Sequence, residues 1–521
     1  MNRVDAPARR RDVRGPVPEM SDWRLVPAAL AAWGATLLAT GLDAGHPLVL
    51  AVAAGLVVAA GLLLVSLRRA RPRGGRHSLT PGGLVRGAAL LGVAAALAGI
   101  AVGSAHRSVL EGTRAARAAA EGVLITLDAR LDGDPAPVDG RFGGGGEAVA
   151  TTVLSAGRAA LAPSAPIGVR LQGRGWPRLH RGDVVEVRGL IDPSFPGALP
   201  VAGTMRVRAL RLVERPGGWR GAVRTLRSAL VEVCADLSDQ GRALVPGMAI
   251  GDDRAMGREL EDAFRATSLS HLTAVSGSHM AIVLGVVPLL VPGARRARSI
   301  ALVLVLLAFL AVVGPSPPVL RAAATSGAGI GAATLGRNSQ GLATLSTVVL
   351  SMLLLDPWAS RDFGFALSAA ATFGVVAPAR AGSRWGRAHL RDDTRAGRLA
   401  RRAFDALLVP TWCSVLAAPI LLLVDPRLPV YAIPANLLAA PAVAPATLLG
   451  LAAALLAPVL PGAAVHVASW AQIPTAWIAA VAEGFAGLPG ARMEARAEWI
   501  GALALVLVAL LRRRIRRRLR R

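Results

Sequence analysis

The sequence predicts a polytopic α-helical membrane protein with one small extracytoplasmic β domain, an OB-like barrel, inserted among its helices. Three observations predict this class. Of the 521 residues, 53% are hydrophobic and only 18% are charged, which leaves too little polar surface to cover a water-soluble fold of this size. Mean hydropathy is +0.49, and the apolar residues gather into runs near the ~20 residues that cross a bilayer. The runs give way once, over residues 105–215, to short segments that alternate with period two.

Taken in chain order, residues 1–24 are a basic tail carrying Arg3, Arg9, Arg10, Arg11, Arg14 and Arg24, interrupted by Pro7, Pro16 and Pro18. The tail is long before its first apolar run and has no clear cleavage site, so it reads as a cytoplasmic tail and not a signal peptide. Apolar runs at 25–41, 47–67 and 84–104 predict three transmembrane helices within 25–104. Arg68, Arg69, Arg71 and Arg73 follow the second run, whereas 42–46 carries no arginine. The positive-inside rule then places the tail and the 68–80 loop in the cytoplasm, and the third span delivers residue 105 to the outside.

Within 105–215, Val123–Leu127, Gly168–Leu171, Val184–Val187 and Met205–Leu210 alternate and are separated by Gly and Pro turns. This describes a small antiparallel β domain of a size that suits a five-stranded OB-type barrel, a fold that commonly binds single strands. Ten arginines and four carboxylates lie between Arg158 and Arg215. Arg170, Arg174, Arg178, Arg181, Arg206 and Arg208 are candidate phosphate contacts, with Trp176 as a stacking partner. Few aromatics accompany them, and a basic, solvated module that only supports the membrane region is the alternative. Residues 219–238 predict an amphipathic helix at the membrane surface, with Arg220, Arg224 and Arg227 opposite Leu226, Leu230 and Val233.

Residues 239–511 form the main membrane region, with runs near 267–291, 299–314, 318–336, 340–355, 363–378, 404–424, 431–457, 464–487 and 498–511. Arg295–Arg298, the eight arginines from Arg380 to Arg402, and the Arg-rich tail 512–521 should all face the cytoplasm. Alternating nine spans from an external β domain satisfies all three, giving about twelve spans with both termini inside.

The charge balance, 59 basic against 33 acidic residues, is +26. No lysine occurs, so a Walker A or Schiff-base lysine is excluded. Cys234 and Cys413 are far apart and the histidines are scattered, which predicts neither a disulfide framework nor a metal site, and no cofactor.

Polar residues inside the apolar region mark the candidate site. On a continuous helix Ser268, His271, Ser278 and His279 would share one stripe; alternatively Ser276-Gly277-Ser278 breaks the helix and frees backbone groups toward protein or water. Helix–helix packing by small hydroxyl residues is the plainer reading. Arg321 follows the Gly314–Pro318 interruption and either snorkels to the interface or presents a charge to phosphate. Asp362 starts the next helix, as a cap or as a partner of Arg321. Asn436 sits where Pro434 and Pro441 should interrupt another span.

"HLTAVSGSHMAIV" at 271–283, its lead-in "GDDRAMGRELEDAFRATSLSHL", "PPVLRAA" at 317–323, "DPWASRDFGFALSAAATFG" at 356–374 and "PANLLAAP" at 434–441 follow in order. With the β domain, this set over roughly 105–460 resembles the ComEC family of competence proteins. The resemblance implies an external OB-like domain that meets DNA and a helical channel that passes one strand inward. It implies channel-motif positions at His271, Ser276, Gly277, Ser278, His279, Arg321, Asp362, Gly364 and Asn436. It also implies a cytoplasmic helicase or translocase as motor, a DNA receptor of the competence machinery, and membrane lipids as partners; self-association is left open. Relatives often continue into a metallo-β-lactamase-like domain, which this sequence does not display, so nuclease activity is not expected. "PSFPGALP" at 193–200 departs from the family's usual element after the strands.

The resulting expectation is a channel for single-stranded transforming DNA in the cytoplasmic membrane. A permease for another anionic substrate, such as a lipid-linked polymer, is the alternative. An intramembrane serine hydrolase built on Ser276 and a histidine is a further one, although no carboxylate partner is evident.

Overall fold

Most of the described chain is helical, because long alanine- and leucine-rich stretches favour the helix and satisfy their backbone internally. The computed structural model describes residues 23, 25–42, 49, 52–53, 56–57, 81–138, 146–156, 159–160, 167–177, 179–193, 201–273, 275–314, 317–334, 341–390 and 394–494. The expected basic tails 1–24 and 512–521, and the spans at 47–67 and 498–511, lie wholly or mostly outside these residues.

Two helices, α1 (Val26–Gly41) and α2 (Pro81–Glu111), lead through the short α3 (Arg114–Glu121) into the β domain. Seven strands follow: β1 (Leu124–Leu131), β2 (Ala136–Val138), β3 (Gly146–Ala156), β4 (Ala159–Ala160), β5 (Ile167–Gly173), β6 (Val184–Pro193) and β7 (Val201–Glu214). Five of them close a barrel in the order β1-β6-β7-β5-β3, with β3 returning to β1. Four of the five pairings are antiparallel, but β5 and β7 run parallel. The expected all-antiparallel domain is corrected at that pair: β6 crosses between them to the far side, so closure brings β5 and β7 together in the same direction. Leu127, Ala129 and Leu131 of β1, Val169 and Leu171 of β5, Val185 and Val187 of β6, and Met205 of β7 fill the interior. Alternate residues point outward, as the period of two requires. Gly189 and Gly203 are needed where β6 and β7 approach, since a Cβ at either would strike the partner strand's backbone.

Helix α4 (Gly218–Val233) leaves the barrel. Its apolar side is covered by protein: Leu230 is fully buried with Val245, Ala249, Ala453 and Ala471, and Leu226 and Val233 pack beside them. The helix is a strut between barrel and bundle. Next come α5 (Asp239–Ile250), α6 (Arg258–Ala266), α7 (Gly277–Leu290), α8 (Arg295–Val313), α9 (Pro317–Thr334), α10 (Gly341–Leu355) and α11 (Phe363–Gly374). A π turn, Val375–Ala379, joins α11 to α12 (Arg380–His389); α13 (Arg395–Val424), α14 (Ala432–Leu456) and α15 (Pro461–Ala486) complete the bundle. Among the described residues, Gly87–Glu111, Arg295–Val313, Phe363–His389, Arg395–Val424 and Ala432–Leu456 are long and apolar enough to cross a membrane. Val26–Gly41, Gly277–Leu290 and Gly341–Leu355 are apolar but shorter. At the centre, Ala243, Leu244 and Met248 of α5 meet Ala435, Ala439 and Ala446 of α14 and Ile478, Ala479 and Ala482 of α15. Alanine at these contacts lets the backbones come close, the usual basis of helix association in an apolar medium.

Barrel and bundle meet in a charged seam. Asp134, in the loop after β1, accepts the backbone N–H of Arg181 at 2.9 Å and lies 3.4 Å from Arg227 of α4 and 3.7 Å from Arg254 of the α5–α6 loop. Arg254 holds Asp252 with two bonds, at 2.8 and 2.6 Å. Arg227 also donates to the carbonyls of Ile250 (2.7 Å) and Val312 (3.1 Å), and Arg181 to that of Val313 (2.8 Å). Arginines therefore cap the C-terminal ends of α5 and α8, where unpaired carbonyls and the helix dipole favour a cation. Burial alone would push the Asp134 carboxyl up. The His180 hydrogen bond, the Arg254 and Arg227 charges and the Arg181 N–H outweigh it and hold the group well below the usual carboxylate range.

Truncating Leu171, which is fully buried, to Ala should destabilise the barrel by about 2–5 kcal/mol, read as a lower denaturant midpoint. Asp134→Asn should lower the unfolding temperature at neutral pH. Because the folded-state pKa is depressed, the stabilisation is fully present above the unfolded carboxyl value and is lost as pH falls toward the folded one. The gap between wild type and variant should stay constant down to about pH 5 and narrow only below about pH 4.

Candidate functional site

The apolar run expected as one span at 267–291 is broken. Helix α6 stops before Thr267, and Ser268 takes φ 57°, the single positive-φ non-glycine among the described residues. A 3-10 turn, Ser270–Leu272, carries His271; the chain is then extended at Ser276, and α7 begins at Gly277 with only 14 residues. The continuous stripe of Ser268, His271, Ser278 and His279 is thereby corrected in favour of the interrupted geometry. The sequence favours the interruption because Ser276 is a good N-cap residue and Gly277 offers no side chain to obstruct the first turn.

The two histidines differ. His271 is exposed, and its Nδ1–H donates to the Ser268 carbonyl at 2.9 Å, leaving Nε2 free to accept. His279 is fully buried. Its Nδ1 accepts the Ser276 N–H at 3.2 Å and lies 3.0 Å from Ser276 Oγ, which is 2.7 Å from Ser278 Oγ. That network assigns the His279 proton to Nε2, a buried atom with no hydrogen-bond partner among the described residues. Gly277 and Ser278 are exposed. The result is a short polar ledge at a helix N-terminus, braced from below by a buried imidazole.

Helix α9 forms a wall behind this ledge. Val319, Ala322 and Ala323 pack toward Val275 and Met280, and a Cβ on Gly277 would just touch that of Ala322. Arg321 projects elsewhere, to the start of α11. Its Nη2 donates to the Gly364 carbonyl at 2.8 Å, its Nη1 lies 3.6 Å from Asp362 Oδ2, and its guanidinium carbon is 5.5 Å from the Phe365 ring centre. Asp362 also accepts the Gly364 N–H at 2.8 Å, so it both caps α11 and pairs with Arg321. Arg321 is 5% exposed, too deep to snorkel. Trp33 of α1 buttresses the spot, its ring tilted by 48° against Phe365 with centroids 4.7 Å apart and its Nε1–H donating to the Ser360 carbonyl.

Asn436 joins neither group directly. It donates to the Ala432 carbonyl of its own helix at 2.8 Å. The interruption expected at Pro434–Pro441 is corrected: α14 runs unbroken from Ala432 to Leu456. Pro434 falls in its first turn, where a missing N–H leaves no bond unmade. The same helix touches the broken segment through Ala435 and Ala439, which pack with Leu269 and Leu272 on either side of His271.

On the barrel, Arg170 and Arg206 project outward from the paired β5 and β7, and Arg174 lies exposed just past β5. Arg208 is the extra residue of a β-bulge and is exposed with its neighbour Ala209. Arg206 is paired with Asp192 at 2.6 Å. Trp176 is half-buried against the barrel core, with its ring across Gly173, so it is engaged in packing. Arg181 is drawn into the seam, and Arg178 lies outside the described residues. Sequence reasoning missed the seam carboxylates Asp134 and Asp183. Nothing local marks them, because their partners are distant in sequence.

A family model described as Competence protein matches residues 248–518. The ComE operon protein 3 of Bacillus subtilis (strain 168) is 25% identical over 174 residues, 33% of this chain and 22% of that protein, so the chain spans only a small part of this relative's length in the match. No solved structure matches. The family match takes in more than half of the chain and contains the broken segment, Arg321, Asp362, Gly364 and Asn436, and on that ground the chain belongs to the competence protein family.

Proposed function

We propose that this chain is a channel that passes single-stranded transforming DNA through the cytoplasmic membrane in natural competence. The observation that carries the reading is the break before α7. An apolar segment gives up a membrane-length helix and presents His271, Gly277 and Ser278 at an exposed helix start. Irregular backbone at membrane depth is tolerated where it is enclosed by protein or lines water. A helix N-terminus also directs its N–H groups and positive dipole end toward anionic groups. Passing phosphates would meet these donors and the hydroxyls, while the buried Arg321–Asp362 pair fixes the neighbouring helix start.

The barrel is proposed as an extracytoplasmic OB-type domain. Its strand order, with the first strand between the third and sixth and a parallel pair at closure, supports that reading. Arg170, Arg174, Arg206 and Arg208 would gather the polyanion, whereas Trp176 and Arg181 have structural work. A receptor would deliver DNA and a cytoplasmic helicase or translocase would pull the strand, since the sequence offers no P-loop.

One observation favours a serine hydrolase: Ser276 Oγ lies 3.0 Å from His279 Nδ1. Against it, the same nitrogen accepts the Ser276 N–H, and no carboxylate among the described residues orients His279 Nε2. Labelling by a fluorophosphonate that disappears in Ser276→Ala would decide for the hydrolase; the channel reading predicts no labelling.

Uptake of a marked linear DNA fragment tests the proposal. Deletion of the gene and His271→Ala, with membrane expression verified, should both abolish import while surface binding persists. Normal import by a competent host that lacks the gene would refute it. About three phosphate contacts from the barrel arginines give a log–log salt slope near −2 for oligonucleotide binding by the full chain. A flat salt response would favour the permease for another anion.

A further inference from the structure

We infer that Asp134 is the positioning residue that fixes the barrel on the helical bundle, and that through it the barrel's seat is tied to the two polar helix starts. Asp134 lies outside the barrel interior, yet its side chain is only 10% exposed. Groups from three parts of the molecule surround it: the Arg181 N–H and His180 from the barrel, Arg227 from the strut, and Arg254 from the bundle. Three guanidiniums gathered in one small space repel each other unless carboxylates lie between them. Asp252 answers Arg254 from the bundle side, and Asp183 lies 3.8 Å from Arg224 within the barrel–strut corner. Asp134 is the barrel carboxylate that faces strut and bundle cations together.

The same arginines grip the ends of α5 and α8 at Ile250, Val312 and Val313. The chain beyond Ile250 runs through Gly251–Arg254 and α6 to the break at 267–276, and beyond Val313 to α9 with Arg321. A shift of the barrel therefore pulls on the segments that lead to both polar spots. Under the transport reading, on which this last step rests, capture at the barrel and passage at the break are mechanically joined.

Hydrogen–deuterium exchange of the full chain in lipid nanodiscs tests the placement without requiring transport. Asp134→Asn keeps the shape and removes the charge. It should speed exchange several-fold in peptides covering 180–183, 250–254 and 312–314, while 185–191 in the barrel core keeps its protection. Asp128→Asn serves as a control, because Asp128 accepts its side-chain hydrogen bond from Ser155 within the barrel; it should leave the seam peptides unchanged. Unaltered seam exchange in Asp134→Asn would overturn the inference. So would an equal loss of protection in 185–191, which would reduce Asp134 to a residue of barrel folding. Normal import by a competent host that lacks the gene, alongside the expected exchange pattern, would count against the transport reading alone.

Discussion

A helix that ends inside an apolar bundle leaves amide hydrogens or carbonyl oxygens without partners, and lipid supplies none. Where the helices of this protein stop is therefore decided by which side chains can meet those groups. Arg227 and Arg181 meet the carbonyls at the ends of α5 and α8. Asp362 meets the amide of Gly364 in the first turn of α11, and His279 meets that of Ser276 just ahead of α7. Each cap brings a charge or dipole to a fixed place. The polar spots of the bundle and the seat of the barrel are products of the same requirement.

The packing around these ends is of a different kind. The α5–α14–α15 centre alternates alanine with the larger Leu244, Met248, Val443, Ile478 and Val481, and the alanines let the backbones approach closely. The irregular segment lies against this centre. Leu269 and Leu272 anchor the broken segment into the alanine face while His271 between them is left outward. Arg321 achieves the same fixity by contact with one carboxylate, one carbonyl and one ring.

Much of this was legible in the sequence, and the failures have physical reasons. The alternation in β1, β5, β6 and β7 marked the barrel, whereas β3, with the sequence GEAVATTVLSA, carries small residues that give little strand signal. The interruption near Ser276 was visible as one of two geometries, and the cap decided between them. Proline misled at Pro434–Pro441: within α14 the bundle tolerates Pro441 and Pro445 without a break. Arg181 counted as a DNA contact by charge alone, although its partner, Val313, lies 132 residues away. Charge tells which residues seek partners; only the fold tells which partners they find.

On the proposed function, a strand in transit passes the ledge at the start of α7. Photo-crosslinking tests it most directly, with p-benzoylphenylalanine placed at Ser278 and, for comparison, at the exposed Ser469 of α15. During import of labelled DNA in a competent host, the account predicts an adduct from Ser278 and none from Ser469. Import that proceeds with no adduct at Ser278, or with equal adducts at both positions, would contradict it.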